Sequence, residues 1–199
     1  MLRFFMVAFF VGASAEVLYD GPCPEVRPME NFSFKTYQGL WYEIARFPNV
    51  GEEGARGKCT TASYTVDGDK GKVRNTQVID GVKSYIDGDL SLVEPGKLML
   101  TYTFGGKSKN SYLIVLDTDY KNYAIAYSCK NLEDTNKHQV FSWIKSRSQT
   151  LEGAAKETVD AYLRNSKFIE SAKYIKNDHS EDACKATVTR AITEFYRNY

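Results

Sequence analysis

Histidine is scarce in this chain, which limits the chemistry that its side chains can perform. His138 and His179 are the only two among 199 residues, and neither stands near a serine or cysteine in a recognisable nucleophile motif. No two cysteines have the spacing of metal ligands, and two histidines are too few to complete a zinc site with them. We therefore predict no metal site, no catalytic residues and no enzymatic activity, and we expect His138 at the surface or rim of the fold.

An excess of charge of either sign is also lacking. The 26 lysines and arginines nearly balance the 25 aspartates and glutamates, for a formal net charge of +1. The chain has no excess of basic residues that would indicate a nucleic-acid partner. It also has no acidic block that would indicate a disordered tail. Aromatic residues are plentiful instead, with 14 Tyr and 11 Phe, and they suit both strands and a pocket for a flat apolar ligand.

Long apolar runs are absent after the first fifteen residues. The segment MLRFFMVAFFVGASA has an early basic residue, an apolar run and a small-residue cleavage pattern at its end. The run is too short for a membrane anchor. We predict that residues 1–15 are a secretory signal removed before Glu16, and that the mature protein is secreted, extracellular and without a membrane partner.

Cysteine occurs four times, at Cys23, Cys59, Cys129 and Cys184. An even count in an oxidising compartment predicts two disulfide bonds. Cys23 and Cys184 lie near the chain ends, whereas Cys59 and Cys129 lie in strand-like sequence, which favours each end being tied to the body of the fold. Four cysteines allow three connectivities, and the sequence alone does not choose among them.

Short strand-like runs alternate with turn signals such as DGDKGK, VEPGK and FGGKSKN through most of the chain. About eight strands at this spacing predict an antiparallel barrel or sandwich. The predicted strands lie near residues 39–47, 58–66, 72–80, 83–91, 97–104, 111–117, 122–130 and 138–146.

One amphipathic helix is predicted near residues 150–164. Its apolar stripe consists of Leu151, Ala155, Val159, Tyr162 and Leu163. The runs YLIVL (112–116) and YAIAY (123–127) are apolar at successive positions, so both faces of these strands must be covered. The helix supplies one cover and the inside of a barrel supplies the other, which predicts a barrel with a helix against one wall.

One face of the predicted strands mixes aromatic, small and amide side chains. The residues that share this face are Asn75 with Gln77, Leu100 with Tyr102, Ala124 with Ala126 and Ser128, and Gln139 with Phe141 and Trp143. A barrel of about eight strands can enclose one small ligand, and this mixture is typical of a small-molecule site. The alternative is that this face is the outside and that its polar residues are simply hydrated.

Three separated motifs point to one family. Gly39-Leu40-Trp41 opens the first strand, Thr118-Asp119-Tyr120 forms the turn between the sixth and seventh strands, and Arg147 follows the last strand. This set resembles the lipocalin family. The stretches DGPCPEV, DTDYKNYAIAYSCK, HQVFSWI and EDACK are similar to its insect bilin-binding protein and insecticyanin branch, and the resemblance extends from about Tyr19 to Cys184.

The resemblance implies an eight-stranded antiparallel up-and-down barrel with one packed C-terminal helix. It places Trp41 at the barrel floor with Arg147 over it, and it implies the disulfides Cys23–Cys129 and Cys59–Cys184. It also implies a bound linear tetrapyrrole, a biliverdin-type bilin held without a covalent bond. The residues expected to bind this ligand are Glu43, Arg46, Asn75, Gln77, Ile86, Leu100, Tyr102, Leu113, Ser128, Gln139 and Phe141.

Each group of these residues has an expected role. Asn75, Gln77, Ser128 and Gln139 would hydrogen-bond inside the cavity, Arg46 would meet a ligand carboxylate near the open end, and the apolar and aromatic residues would form walls.

The sequence departs from the bilin-binding pattern at three places. Gln77 and Ser128 stand where that pattern carries a histidine and a tyrosine, and the loop LSLVEPGK (90–97) is shorter than the loop in that pattern. Another lipophile, such as a carotenoid, retinoid, fatty acid or odorant, is therefore an alternative ligand, and protein interactions through the loops at 51–57 and 104–110 are an alternative function.

Two further features lie outside the barrel pattern. Residues 186–199 carry a helical stripe of Val188, Ala191, Ile192, Phe195 and Tyr199, which predicts a C-terminal helical extension to the domain at 16–185. This helix would dock on the barrel, mediate homo-oligomerisation or fray in water. Asn31-Phe32-Ser33 is a glycosylation sequon in a secreted chain.

Overall fold

The computed structural model describes residues 16–50 and 55–193. The predicted leader at 1–15 lies outside the described residues, as do Phe195 and Tyr199 of the predicted C-terminal stripe. Within the described part, the chain is built almost entirely from strands.

Eleven strands and three α-helices occur in the described residues. The strands are β1 (Leu18–Asp20), β2 (Gly39–Arg46), β3 (Lys58–Asp67), β4 (Lys70–Ile79), β5 (Val82–Glu94), β6 (Lys97–Phe104), β7 (Lys107–Thr118), β8 (Tyr123–Asn131), β9 (Lys137–Ser146), β10 (Ile175–Lys176) and β11 (Val188–Ala191). The helices are α1 (Phe34–Tyr37), α2 (Gly153–Asn165) and α3 (Glu181–Cys184), with a 3-10 turn at Ser171–Lys173. All eight predicted strands are present as β2 to β9, and the predicted helix is α2.

Strands β2 to β9 form a closed barrel. Each pairs antiparallel with the next along the chain, and β9 returns to pair with β2 from Tyr42 opposite Ser146 to Arg46 opposite Trp143. Closure leaves no free edge between the first and last strands of the wall. The predicted up-and-down barrel is therefore confirmed.

Helix α2 packs against the outside of the wall. Val159 and Leu163 are buried in a second apolar cluster with Ile125, Tyr127 and Ile144 of the strands. The other members of the predicted stripe, Leu151, Ala155 and Tyr162, border the same cluster. Strands β7 and β8 are apolar at successive positions because this cluster covers one face and the barrel interior covers the other.

The C-terminal extension is a strand where the sequence predicted a helix. Strand β11 pairs parallel with β5, with Val188 opposite Val82 and Ala191 opposite Tyr85. Strand β6 pairs with β5 only between Asp89 and Glu94, so the first half of β5 has a free edge. That edge offers main-chain hydrogen bonds, and the backbone of β11 takes them in preference to helical ones.

Two disulfides tie the chain ends to the barrel. Cys23 is bonded to Cys129 at the end of β8, and Cys184 of α3 is bonded to Cys59 at the start of β3. These are the pairings that the resemblance implied. No helix in the described residues has the length and apolar character needed to cross a bilayer.

Candidate functional site

The floor of the barrel is a stack of buried aromatic rings. Trp41 has no exposed surface, and its ring stacks on Tyr37 with 5.1 Å between centroids. The indole Nε1 donates a hydrogen bond to the Tyr37 carbonyl oxygen at 2.9 Å. Phe32 and Phe34 join the same cluster from below, so the end of the barrel that carries Trp41 is sealed.

Arg147 covers the indole from outside. Its guanidinium carbon lies 3.7 Å from the Trp41 ring centroid, a cation–π geometry. Its nitrogens donate hydrogen bonds to the carbonyl oxygens of Leu40 at 2.7 Å, Gln38 at 2.9 Å and Tyr120 at 3.0 Å. Gly39 has a φ of +97°, and a Cβ there would lie 3.2 Å from Arg147 Nη1, so glycine suits this position both in conformation and in space.

The turn at 118–120 is held by its own side chains. Thr118 Oγ1 donates to the Tyr123 carbonyl at 2.6 Å and accepts from the Tyr120 amide at 2.9 Å. Asp119 accepts from the backbone amides of Lys121, Asn122 and Tyr123 and from the Asn122 side chain. Partial burial raises the pKa of Asp119, but these hydrogen bonds outweigh burial and hold the pKa below its usual value.

The strand face that the sequence predicted to line the barrel interior does line it in the structure. Asn75 lies directly opposite Ala62 and Ile86, and Trp143 lies opposite Ala126. Ala62 and Ala126 belong to the buried interior cluster that contains Trp41, and directly opposed residues of a sheet share one face. The alternative reading, in which this face is outside and hydrated, is therefore wrong.

The upper half of the interior is open to solvent. Trp41, Ala124 and Ala126 near the floor are completely buried, whereas inward-facing Phe141 and Trp143 keep part of their surface accessible. Other inward residues that are partly accessible are Asn75, Ile86, Leu100 and Tyr102. Because these side chains point into the barrel, their accessible surface must border a cavity within it.

Tyr102 lies flat on the wall of this cavity because Gly88 leaves space for its ring. A Cβ at Gly88 would lie 2.8 Å from Tyr102 Cε1 and 2.7 Å from Leu100 Cδ1. The ring reaches across β5, and its hydroxyl accepts a hydrogen bond from Asn75 Nδ2 at 2.6 Å. The Asn75–Tyr102 pair therefore presents a polar edge on an otherwise apolar surface.

Gln77, Ser128 and Gln139 are buried on the inner face, at 5%, 8% and 4% exposure. Ser128 lies opposite Phe141, and Gln77 lies opposite Ser84. The amide nitrogen of Gln139 is buried and makes no hydrogen bond to any described residue. This nitrogen is an available donor on the inner face, two positions from Phe141 along β9 toward the open end. Leu113, the remaining wall residue, is buried in the interior cluster.

Arg46 and Glu43 form a buried ion pair, which changes the role expected for Arg46. Arg46 Nη1 lies 2.8 Å from Glu43 Oε1, and both side chains are almost wholly buried. Arg46 also donates to the Gly57 carbonyl, and Asn177 Nδ2 donates to Glu43 Oε1 at 2.8 Å. The carboxylate that Arg46 meets thus belongs to the protein, and the expectation that it meets a ligand carboxylate at the open end is corrected.

Lys145 is an interior residue that the sequence interpretation missed. It follows Trp143 by two positions on β9, faces inward opposite Ala124, and is only 6% exposed. Its Nζ donates a hydrogen bond to the Tyr64 hydroxyl at 2.7 Å. The same nitrogen lies 5.1 Å from the Tyr64 ring and 6.0 Å from the Trp143 ring. Continuing the alternation of Gln139, Phe141 and Trp143 by one more step would have found it.

The remaining candidates lie away from the cavity. His138 lies at the rim, near the start of β9, but it is buried there rather than exposed at the surface, because Tyr19 stacks on it at 5.5 Å and its Nδ1 lies 2.9 Å from the Gly21 carbonyl oxygen. His179 lies near the Cys59–Cys184 disulfide, whose sulfurs are bonded to each other and so are not thiolate ligands. Asn31 is exposed at the floor end of the barrel.

Comparison with known proteins agrees with this geometry. Residues 38–181 match the model of the lipocalin / cytosolic fatty-acid binding protein family. Insecticyanin-B of Manduca sexta is 41% identical over 199 residues, with 96% of each chain covered, and the bilin-binding protein of Pieris brassicae is 44% identical over 183 residues, with 90% of this chain and 96% of that one covered. The solved structure of insecticyanin from Manduca sexta superposes with a TM-score of 0.85 at 41% identity, covering 90% of this chain and 98% of that chain. This chain belongs to the lipocalin family.

Proposed function

We propose that this protein is a secreted carrier of a small hydrophobic ligand, and that the ligand is a biliverdin-type linear tetrapyrrole. The observation that carries the proposal is the accessible inner face above a sealed aromatic floor. The lipocalin fold carries small hydrophobic ligands, and its members are generally non-enzymatic. The relative from Pieris brassicae is named for binding bilin, which supports the choice of pigment.

The walls of the cavity suit a flat conjugated molecule. Phe141 and Trp143 are nearly parallel, with an interplanar angle of 12° and centroids 6.1 Å apart, so together they offer an extended aromatic surface. Ile86, Leu100, Tyr102 and Leu113 extend the apolar lining. Burying such a ligand against these walls is favourable in proportion to the apolar area removed from water.

The polar groups of the cavity are few and separated, as ligand orientation requires. The Asn75–Tyr102 pair and the Gln139 amide would meet the pyrrole N–H groups and the lactam oxygens, and Gln77 and Ser128 would supply further partners. A buried polar group of the pigment without such a partner would cost about 1–3 kcal/mol. These contacts would fix the curled conformation of the pigment within the barrel.

A separate set of features supports the proposal that the protein is secreted. The leader-like residues 1–15 and the two disulfides support an oxidising, extracellular environment. The exposed position of Asn31 supports glycosylation there, at a site remote from the cavity mouth.

Titration of the mature protein with biliverdin tests the proposal, with tryptophan quenching and induced circular dichroism as readouts. We expect saturable binding that Phe141→Ala weakens by about tenfold, equivalent to about 1.4 kcal/mol, because an aromatic wall is lost. The matched control is Tyr112→Ala, since Tyr112 adjoins Leu113 on β7 but is 45% exposed. No binding, or equal losses in the two variants, would contradict the proposal.

A further inference from the structure

A cationic side chain lies at the inner end of the cavity, just above the floor. Lys145 is nine-tenths buried, and its ammonium group lies within reach of the Trp143 ring at 6.0 Å. Trp143 borders the accessible lumen. The ammonium group is therefore separated from the space in which a ligand would rest by the Trp143 side chain alone.

The partners of this ammonium group are neutral. It donates to the Tyr64 hydroxyl, and burial raises the pKa of both Tyr64 and neighbouring Tyr37 well above the usual value, so both phenols stay protonated. Glu43 is the cross-strand partner of Lys145, but its carboxylate is engaged by Arg46 and Asn177. No carboxylate of the described residues forms an ion pair with Lys145.

A buried ammonium group with only neutral partners is unfavourable. It retains donor capacity, because an ammonium group has three N–H bonds and the Tyr64 hydroxyl takes one of them. A carboxylate entering from the lumen would both neutralise the charge and accept a strong, charge-assisted hydrogen bond. The phenols, the indole and the ammonium group together form a site for an anion attached to an apolar body.

We propose that Lys145 binds a carboxylate of the ligand, so that the ligand enters the barrel with an acid group leading. The inference rests on the proposed carrier function and specifies the ligand further, as a carboxylated lipophile. A propionate of a linear tetrapyrrole and the head of a fatty acid share this chemistry. In either case the acid lies beside Lys145 and the apolar body lies against Trp143 and Phe141.

The test compares acids with their methyl esters. The probes are biliverdin, biliverdin dimethyl ester, cis-parinaric acid and methyl parinarate, titrated into the mature protein and into Lys145→Met and Lys145→Arg. The control is Lys156→Met, because Lys156 is an exposed lysine on helix α2, outside the barrel. Thermal melting of each ligand-free variant verifies folding.

We expect wild type to bind an acid about ten- to a hundredfold more tightly than its ester, the range of a hydrogen bond to a charged group. Lys145→Met should make the affinities for acid and ester equal by weakening binding of the acid, whereas Lys145→Arg and Lys156→Met should keep the preference. The biliverdin and parinaric acid arms identify which acid the site accepts.

Two failures are distinguishable. If wild type binds acids and esters equally, or if folded Lys145→Met keeps the preference, the role of Lys145 is overturned while the carrier function stands. If no probe binds wild type, the carrier function itself is overturned. The acid-to-ester ratio of wild type needs no variant, so a misfolded Lys145→Met would not leave the proposal without a test.

Discussion

Trp41 and Arg147 determine how the barrel is closed at its lower end. The indole fills the floor, and the guanidinium both covers the ring and binds carbonyl oxygens from two separate segments, 38–40 and Tyr120. One residue thus joins the first strand of the barrel to the turn between β7 and β8. These few contacts hold the floor in place.

Replacing Trp41 by alanine should destabilise the protein by about 3–5 kcal/mol, because it removes a fully buried ring and leaves a cavity. Urea denaturation measures the free energy of unfolding. Trp143→Ala is the matched control, since Trp143 is inward-facing but partly accessible, and its loss should cost clearly less. An unchanged stability in Trp41→Ala would show that the indole does not hold the floor.

Asp119 makes the turn at 118–120 sensitive to acid. Because its pKa is lowered in the folded state, Asp119 contributes stability that is fully present above the unfolded-state value of 3.8. That contribution is lost as the pH falls through the lower, folded-state pKa. Asp119→Asn should therefore melt at a lower temperature than wild type at neutral pH.

The difference between wild type and Asp119→Asn should shrink toward zero as the pH falls below 3.8. Melting temperatures from pH 2 to 7 check this, with Asp89→Asn as the control for loss of one exposed carboxylate. A gap between the two melting curves that stays constant with pH would contradict the role given to Asp119.

At the scale of elements, local sequence predicted the parts whose pattern extends over many residues. Strands of eight or more residues and the apolar stripe of α2 each repeat their period several times. Strand β11 has four residues, and the spacing of Val188, Ala191 and Ile192 also suits a helix. The free edge of β5 determines its conformation, and that edge exists only after the barrel has formed.

Removing residues 186–199 should expose the edge of β5 at Val82–Tyr85 and so promote association between copies. Sedimentation equilibrium should show an increased mass, and truncation after Glu194 is the control because it keeps β11. A decreased mass on removal of 186–199 would mean instead that the extension drives association. An unchanged mass and melting temperature would show that β11 does not protect the edge.

At the scale of the whole molecule, the inner wall was predictable, Glu43 and Arg46 included, but the ion pair between these two residues and the buried Lys145 were not. Alternation along β4, β6, β8 and β9 was enough to find the wall. A bulge between Glu43 and Ala45 breaks that alternation, which brings Arg46 to the same side as Glu43 and forms their ion pair. Lys145 was missed because a lysine two places beyond Trp143 suggests a solvated position, whereas the closed barrel buries it.

The complete molecule combines a sealed floor, an accessible upper interior and two ends tied down by disulfides. Each property suits the retention of a ligand by the proposed carrier: the floor prevents escape, the open end admits the ligand, and the disulfides tie both ends of the chain to the wall. The central claim is that the space within this wall carries a linear tetrapyrrole.

The absorption spectrum of the protein purified from its natural source tests that claim most directly. We predict a blue-green sample with a red absorption band, and a tetrapyrrole released on denaturation and identified by mass spectrometry. A colourless sample that releases a different lipid, or no ligand, would contradict the claim.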